Sequence, residues 1–455
     1  MNLSRKSIRP TKQPRLATAL ALVVAGLGLA SCDYTGGNPG REVGANPVLP
    51  ALQQYLVPPI QIAPPVPWGN DTPKAANGLQ VRALATGFQH PRSLYVLPNG
   101  DVLVVESNGP KAPIFRPKDI ITAWVESAAG ARAQAPNRIT LLRDTKGDGI
   151  PDVRTVLLDH LNSPFGVALV GHDLYVADTD AIIRFPYQDG ETTITSPGTK
   201  LTDLPGGPID HHWTKAMVAS PDGTKLYVGV GSNSNITENG LEVERERAAI
   251  WEVDIKTGAH RVYASGVRNP TGLQFEPETG KLWAIANERD EIGPDLVPDY
   301  LTSVQDGGFY GWPYSYFGQH LDPRVMPQRP DLVAKAIVPD YALSSHVAPL
   351  GLAIYTGNNL PANYRGGGFV SEHGSWDRTP LSGYKVVFVP FSGGKPSGVA
   401  QDVLTGFLDS NDHARGRPVG LAVDRSGALL IADDVGDTVW RVLSAPAGST
   451  IKPAT

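Results

Sequence analysis

The chain of 455 residues has a single cysteine, Cys32, so no disulfide can form within it and its fold must be held by packing and by any metal it binds. It has no excess of positive charge. A formal net charge of -5 argues against a nucleic-acid partner. It has no long amphipathic helical pattern, and its N-terminal apolar stretch, Leu16 to Leu29, is too short to span a bilayer comfortably. With 41% hydrophobic and 19% charged residues there is still ample material for a core.

Glycine and proline are abundant instead. The 49 Gly and 41 Pro fall as punctuation between short β-branched and aromatic runs, which favours an all-β chain. Ahead of them, a basic segment, the apolar stretch and Leu-Ala-Ser-Cys have the three-part layout of an export signal. That ending resembles the lipobox of bacterial lipoproteins, which implies acylation of Cys32 and a lipid-anchored protein on the periplasmic side of the cell envelope. Residues 33–78, centred on VPPIQIAPPVPWG, have the composition of a semi-extended tether. The folded body is expected over 79–445.

Within that body one pattern recurs: a polar lead-in, an apolar strand, a turn with Asp or Gly, and a second strand. It occurs as HPRSLYVLPNGDVLVVE, SPFGVALVGHDLYVAD, HWTKAMVASPDGTKLYVGVG, NPTGLQFEPETGKLWAIAN, APLGLAIYTGNNLPANYRGGGFVSEHG and RPVGLAVDRSGALLIADD. Repeated small sheets of this kind predict an all-β, six-bladed β-propeller, with the strand near LQVRALA a candidate to close the ring. A two-sheet sandwich would not give one repeated lead-in with one repeated hairpin. Insertions are expected at about 109–136 and 291–345, the second, aromatic-rich one covering the site.

In a propeller the first strand of every blade lines the axis, so the lead-ins crowd one mouth. They carry His90 and Arg92, Asn162 and Ser163, His211 and His212, Arg268 and Asn269, His346, and Arg415 with Arg417. Four arginines facing one another repel unless an anion sits between them, and guanidinium groups take carboxylates bidentately. A small polyanionic ligand follows. His212, beside Arg268, is a candidate general base whose pKa neighbouring cations hold down, and His211 alternates to the other face. DTKGDGIPD lacks the closing Glu of a calcium loop and reads as a turn.

The stretches DHHWTKAMVASPDG, SGVRNPTGLQF, NERDEIGPDLVPDYLTSVQDGGFYGWPYSYFGQ, FVSEHGSWDRTPLSGYKVVFVPF and GRPVGLAVDRSGALLIADD resemble the quinoprotein sugar dehydrogenases of the soluble glucose dehydrogenase type, in the L-sorbosone and pyranose dehydrogenase branch. The resemblance implies pyrroloquinoline quinone (PQQ), a planar tricarboxylate, held with calcium at the mouth. It implies His212 as the base, Arg268 on the quinone oxygen, and Asn269, Arg92, Arg415 and Arg417 as cofactor contacts. Calcium would be held by the backbone carbonyls of Glu288 and Arg289. The substrate would be an aldose or sugar-derived aldehyde, and electrons would pass to an external acceptor.

The chain departs from that family in two places. Ser232 stands where an acid would orient the base, and His373 or Arg378 replaces a cofactor-binding lysine. Two other classes share such a mouth: a non-catalytic propeller binding a glycan or protein, and a metal-dependent lactonase, which the cationic lead-ins disfavour.

Overall fold

The computed structural model describes residues 40–53, 60–111, 113–114 and 116–446. The export signal, Cys32 and residues 33–39 lie outside the described residues, so the acylation reading rests on sequence alone. Among the described residues no helix is long and apolar enough to cross a membrane.

Six antiparallel sheets follow one another along the chain as the blades of a six-bladed β-propeller. Blade 1 runs Pro91–Val96, Val102–Glu106, Arg138–Arg143 and Val153–Leu158, and blade 2 begins at Gly166–Val170. Blade 3 begins at Met217–Ala219, blade 4 at Asn269–Phe275, blade 5 at Pro349–Ile354 and blade 6 at Pro418–Val423. The second strands read as continuous apolar runs because each blade packs on both faces: Val102–Glu106 and Leu429–Asp433 are buried throughout. As predicted, Leu79–Thr86 closes the ring, pairing Leu79 with Ser444 and Thr86 with Thr438.

The first strands line a central channel of about 410 Å³, with Ser93, Phe165, Met217, Gly272, Leu352 and Leu421 among its walls. Glycine permits the close approach of neighbouring blades there. A Cβ on Gly351 would lie 2.1 Å from the Val419 carbonyl oxygen, and one on Gly166 2.5 Å from that of Lys215.

Three expectations change. The segment 33–78 is no free tether over its described part: Gly44 and Ala342 exchange backbone hydrogen bonds at 2.9 Å, and Lys74–Ala75 adds a fifth strand to blade 5. Ala63 and Trp68 are buried, Trp68 edge-on to Phe407 and Trp440. Composition reports an extended backbone but cannot show the apolar slot into which its side chains dock. The first insertion holds a helix, α1 (Pro117–Ala128), started by Pro117 and by Asp119, whose carboxylate accepts the Arg116 N–H at 2.8 Å. The second contains the two outer strands of blade 4, Pro298–Ser303 and Tyr341–Ser345.

Gly351→Ala drives a methyl into the backbone of blade 6 and should cost about 1–3 kcal/mol, whereas Gly40→Ala, which meets nothing within 4 Å, should stay within about 0.5 kcal/mol. Urea unfolding of both variants checks this.

Candidate active site at the propeller mouth

The lead-ins are fixed by acids at the ends of strands. Glu106, closing the second strand of blade 1, accepts the Gln89 N–H at 2.6 Å; Asp178 accepts that of Asn162 at 3.1 Å; Asp433 accepts that of Arg417 at 2.8 Å. Blade 5 uses Asp299, which takes the Ala348 N–H at 2.8 Å. Burial pushes Asp178, Asp299 and Asp433 up to about 7. Each acid therefore holds a backbone, and the side chains it carries, at a set height over the channel.

His212 is the best-defined group there. Its Nδ1 lies 2.8 Å from the Ser232 carbonyl oxygen and 3.1 Å from Ser232 Oγ. A carbonyl only accepts, so Nδ1 carries the proton and Nε2 keeps its lone pair. Ser232 thus supplies by its backbone the orientation that an acid was expected to give. Gly231 makes the approach possible, because a Cβ there would sit 2.4 Å from His212 Cβ and 2.6 Å from Asn269 Oδ1. Burial, then Arg268 and His211, hold the His212 pKa well below its ordinary value. His211 is exposed. Lys215, fully buried, belongs to a structural knot with Asp210 and Arg247, at 3.6 and 3.0 Å from Asp210 Oδ1.

The arginines do not form the bare ring that the sequence suggested. Arg92 is bonded to Asp434, Arg268 lies 3.3 Å from Asp290, and Arg415, on the rim, pairs with Asp71 at 2.6 Å. Arg378 is committed to Asp295 at 2.8 Å and Glu42 at 3.5 Å, and donates to Ser344 and Ser345. Its Nε is buried without a hydrogen-bond partner. Mutual repulsion is thus relieved mainly by acids from other loops and from the N-terminal segment, which a repeat alignment does not bring together.

An excess of donors survives around one acid. His90, Arg92 and His373 all face Asp434, at 3.7 Å, within hydrogen-bonding distance and at 3.0 Å. Arg417 lies 4.7 Å over the Tyr384 ring, with only a 3.5 Å contact to the Ala63 carbonyl. Arg92 Nε and Arg417 Nε are buried donors without hydrogen-bond partners; His90, whose Nδ1 proton faces the Ser107 carbonyl at 3.0 Å, leaves Nε2 as a buried acceptor without one, and Asn269 Oδ1 is another. Burial first, against the pull of Asp434, lowers His373 to about 4. Asp434 is itself held far below the carboxylate range, burial being outweighed by His373, His90 and Arg92. Unmatched buried guanidinium donors suit a polycarboxylate guest.

The calcium assignment fits less well. The Glu288 carbonyl oxygen accepts from Arg268 Nη1 at 2.7 Å, so a guanidinium already stands on one of the two proposed ligands. The Arg289 side chain turns inward to Asp322 at 3.1 Å. Arg268 is locked further by the Asn235 side-chain oxygen at 3.0 Å, and Asn235 in turn accepts from Trp312 Nε1 at 2.9 Å. The aromatic insertion therefore braces the site. The DTKGDGIPD loop is a turn as read, Asp144 accepting four backbone N–H groups from Lys146 to Gly149.

Asp434, Asp290 and Asp377 were not singled out in the sequence. Their signal is positional: each sits within a few residues of the end of a second strand, the ring of positions that faces the lead-ins.

Comparison with known proteins places this geometry. The Glucose / Sorbosone dehydrogenase family model matches residues 170–375, and a TrAA12-like model matches 332–445. An uncharacterised protein of Borreliella burgdorferi is 28% identical over 62% of this chain and 76% of its own length. The pyrroloquinoline quinone-dependent sugar dehydrogenase of Hypocrea jecorina is 21% identical, covering 80% of this chain and 87% of that protein. The holo form of the pyranose dehydrogenase PQQ domain from Coprinopsis cinerea superposes with a TM-score of 0.66 at 20% identity, over 86% of this chain and 100% of that one. At that identity the superposition speaks for the fold.

Asp434→Asn leaves Arg92, His90 and His373 without their carboxylate and should cost about 3–5 kcal/mol at neutral pH. A depressed carboxyl stabilises above its unfolded pKa of about 4 and loses that contribution as pH falls further. The gap between wild type and variant in chemical denaturation should therefore shrink below about pH 4.

Proposed function

We propose that this chain, which carries a glucose/sorbosone dehydrogenase domain, is a PQQ-dependent dehydrogenase of an aldose or sugar-derived aldehyde, with His212 as general base. One observation carries the reading: the Ser232 carbonyl fixes the His212 proton on Nδ1 and leaves Nε2 as a lone-pair acceptor in the field of the Arg268 guanidinium.

Bound at this mouth, pyrroloquinoline quinone would supply a two-electron acceptor for hydride. Arg92, His373 and Arg417 would hold its carboxylates, with Asn269 offering an acceptor alongside. His212 Nε2 takes the proton of the sugar hydroxyl at the carbon that is oxidised. Arg268, kept in place by Glu288 and Asn235, holds positive charge at a fixed point where negative charge develops. Sequestering these groups from water makes each charge count for more. Exported and anchored through Cys32, the enzyme would hand electrons to an acceptor in the cell envelope.

A non-catalytic propeller that binds a glycan is favoured by the carboxylate partners of Arg92, Arg268 and Arg415, which leave less unbalanced charge than a polyanion site would use.

Purified protein given the quinone and calcium should reduce a redox dye with sugars. His212→Ala should lose about 10²–10⁴-fold in turnover while binding the quinone as before. If calorimetry finds no quinone binding, the glycan-binding reading stands in its place. Because the His212 pKa lies well below its ordinary value, the base stays unprotonated as pH drops. The rate should accordingly show no inflection near the ordinary histidine value of about 6.5.

A further inference from the structure

Beside Arg268, three side chains from two blades converge on one point. Asp290 follows the second strand of blade 4, His346 precedes the first strand of blade 5, and Asp377 lies beyond blade 5's second strand, Gly368–Glu372. Asp290 Oδ1, His346 Nδ1 and Asp377 Oδ1 all lie within 4.8 Å of one another. His346 Nδ1 is 3.5 Å from the first carboxylate oxygen and 3.4 Å from the second.

The remaining capacity of the three residues is largely spent elsewhere. His346 Nε2 stands 2.9 Å from the Gly293 carbonyl oxygen, so Nε2 carries a proton and Nδ1 points at the two acids. Asp290 turns its other oxygen to Arg268 at 3.3 Å. Asp377 is 2% exposed, and its Oδ1 has no hydrogen-bond partner.

The spacing decides what belongs at that point. A charged imidazolium bonded to a carboxylate closes to about 2.7–2.9 Å, and neither contact does so. A tetrahedral ion with bonds of about 2.1 Å keeps its ligand atoms about 3.4 Å apart, which is the spacing of His346 Nδ1 from each of the two carboxylate oxygens. Two carboxylates and one neutral imidazole balance a doubly charged ion. The nitrogen donor suits a borderline transition metal, whereas calcium and magnesium take oxygen sets. A backbone carbonyl on the far imidazole nitrogen is the outer partner that orients metal-bound histidines. Asp290, at 25% side-chain exposure, leaves one face of the point open for water.

We propose that Asp290, His346 and Asp377 bind one divalent transition-metal ion of the zinc class, distinct from any cation held with the quinone. The ion ties the loops of blade 4 to those of blade 5 and fixes Asp290 beside Arg268. Its presence is independent of the redox reading of the mouth.

The test uses the full chain without quinone, stripped by chelator, dialysed, and titrated with Zn²⁺, Mn²⁺ or Ca²⁺ in separate calorimetric experiments. Zn²⁺ should bind at about one ion per chain, with His346→Gln and Asp377→Asn each weakening it about 10–100-fold. Zn²⁺ should also raise the thermal midpoint of the wild type. Should a variant misfold by circular dichroism, anomalous scattering at the zinc edge from wild-type crystals decides, with a peak between the three ligand atoms expected. Absence of zinc binding, a peak elsewhere, preference for Ca²⁺, or unchanged affinity in both folded variants would overturn the proposal and leave a proton on Nδ1 as the occupant.

Discussion

The interaction on which the site depends is a backbone one: a strand-borne carboxylate accepting the N–H of the segment that leads into a blade. Glu106 on Gln89, Asp178 on Asn162, Asp299 on Ala348 and Asp433 on Arg417 repeat it around the ring. A buried N–H without a partner costs about 1–3 kcal/mol, so each acid removes a penalty as it fixes a conformation. His90, Ser163 and His346 can then sit at positive φ, of 58°, 49° and 59°, close over the channel.

That arrangement explains how so many basic groups share one cavity. Arg92, His90 and His373 gather on Asp434, Arg268 on Asp290, and Arg415 on Asp71. What remains unmatched is small and local: the Arg417 guanidinium against Tyr384 and a few ring or guanidinium nitrogens. The mouth is thus a partly neutralised cluster with donors to spare on the blade 6 side, and His212 faces it from blade 3. The described N-terminal segment takes part in this balance through Glu42, Ala63 and Asp71, so it is part of the site's wall.

Much of this was legible before the fold was seen. Six lead-ins with six hairpins predicted six blades, and Leu79–Thr86 closes the last one. What could not be read was pairing between segments distant in sequence: Arg92 with Asp434, Arg415 with Asp71, Arg378 with Glu42 and Asp295. The repeated lead-ins mark the first strands at the axis, while the acids stand at the ends of the neighbouring strands. Residues 291–345 misled because Pro298 and polar residues interrupt two strands that tertiary pairing enforces.

The amino-acid order by itself determined the architecture, because apolar runs of strand length at a steady interval can bury their faces only in stacked small sheets. It also determined which residue types reach the mouth. Only the tertiary structure decided which charges cancel, which nitrogen of His212 keeps its proton, and where Asp290, His346 and Asp377 meet. Those outcomes rest on distances of a few ångströms between chain segments far apart in sequence, and Coulomb and hydrogen-bond energies turn on those distances rather than on residue order.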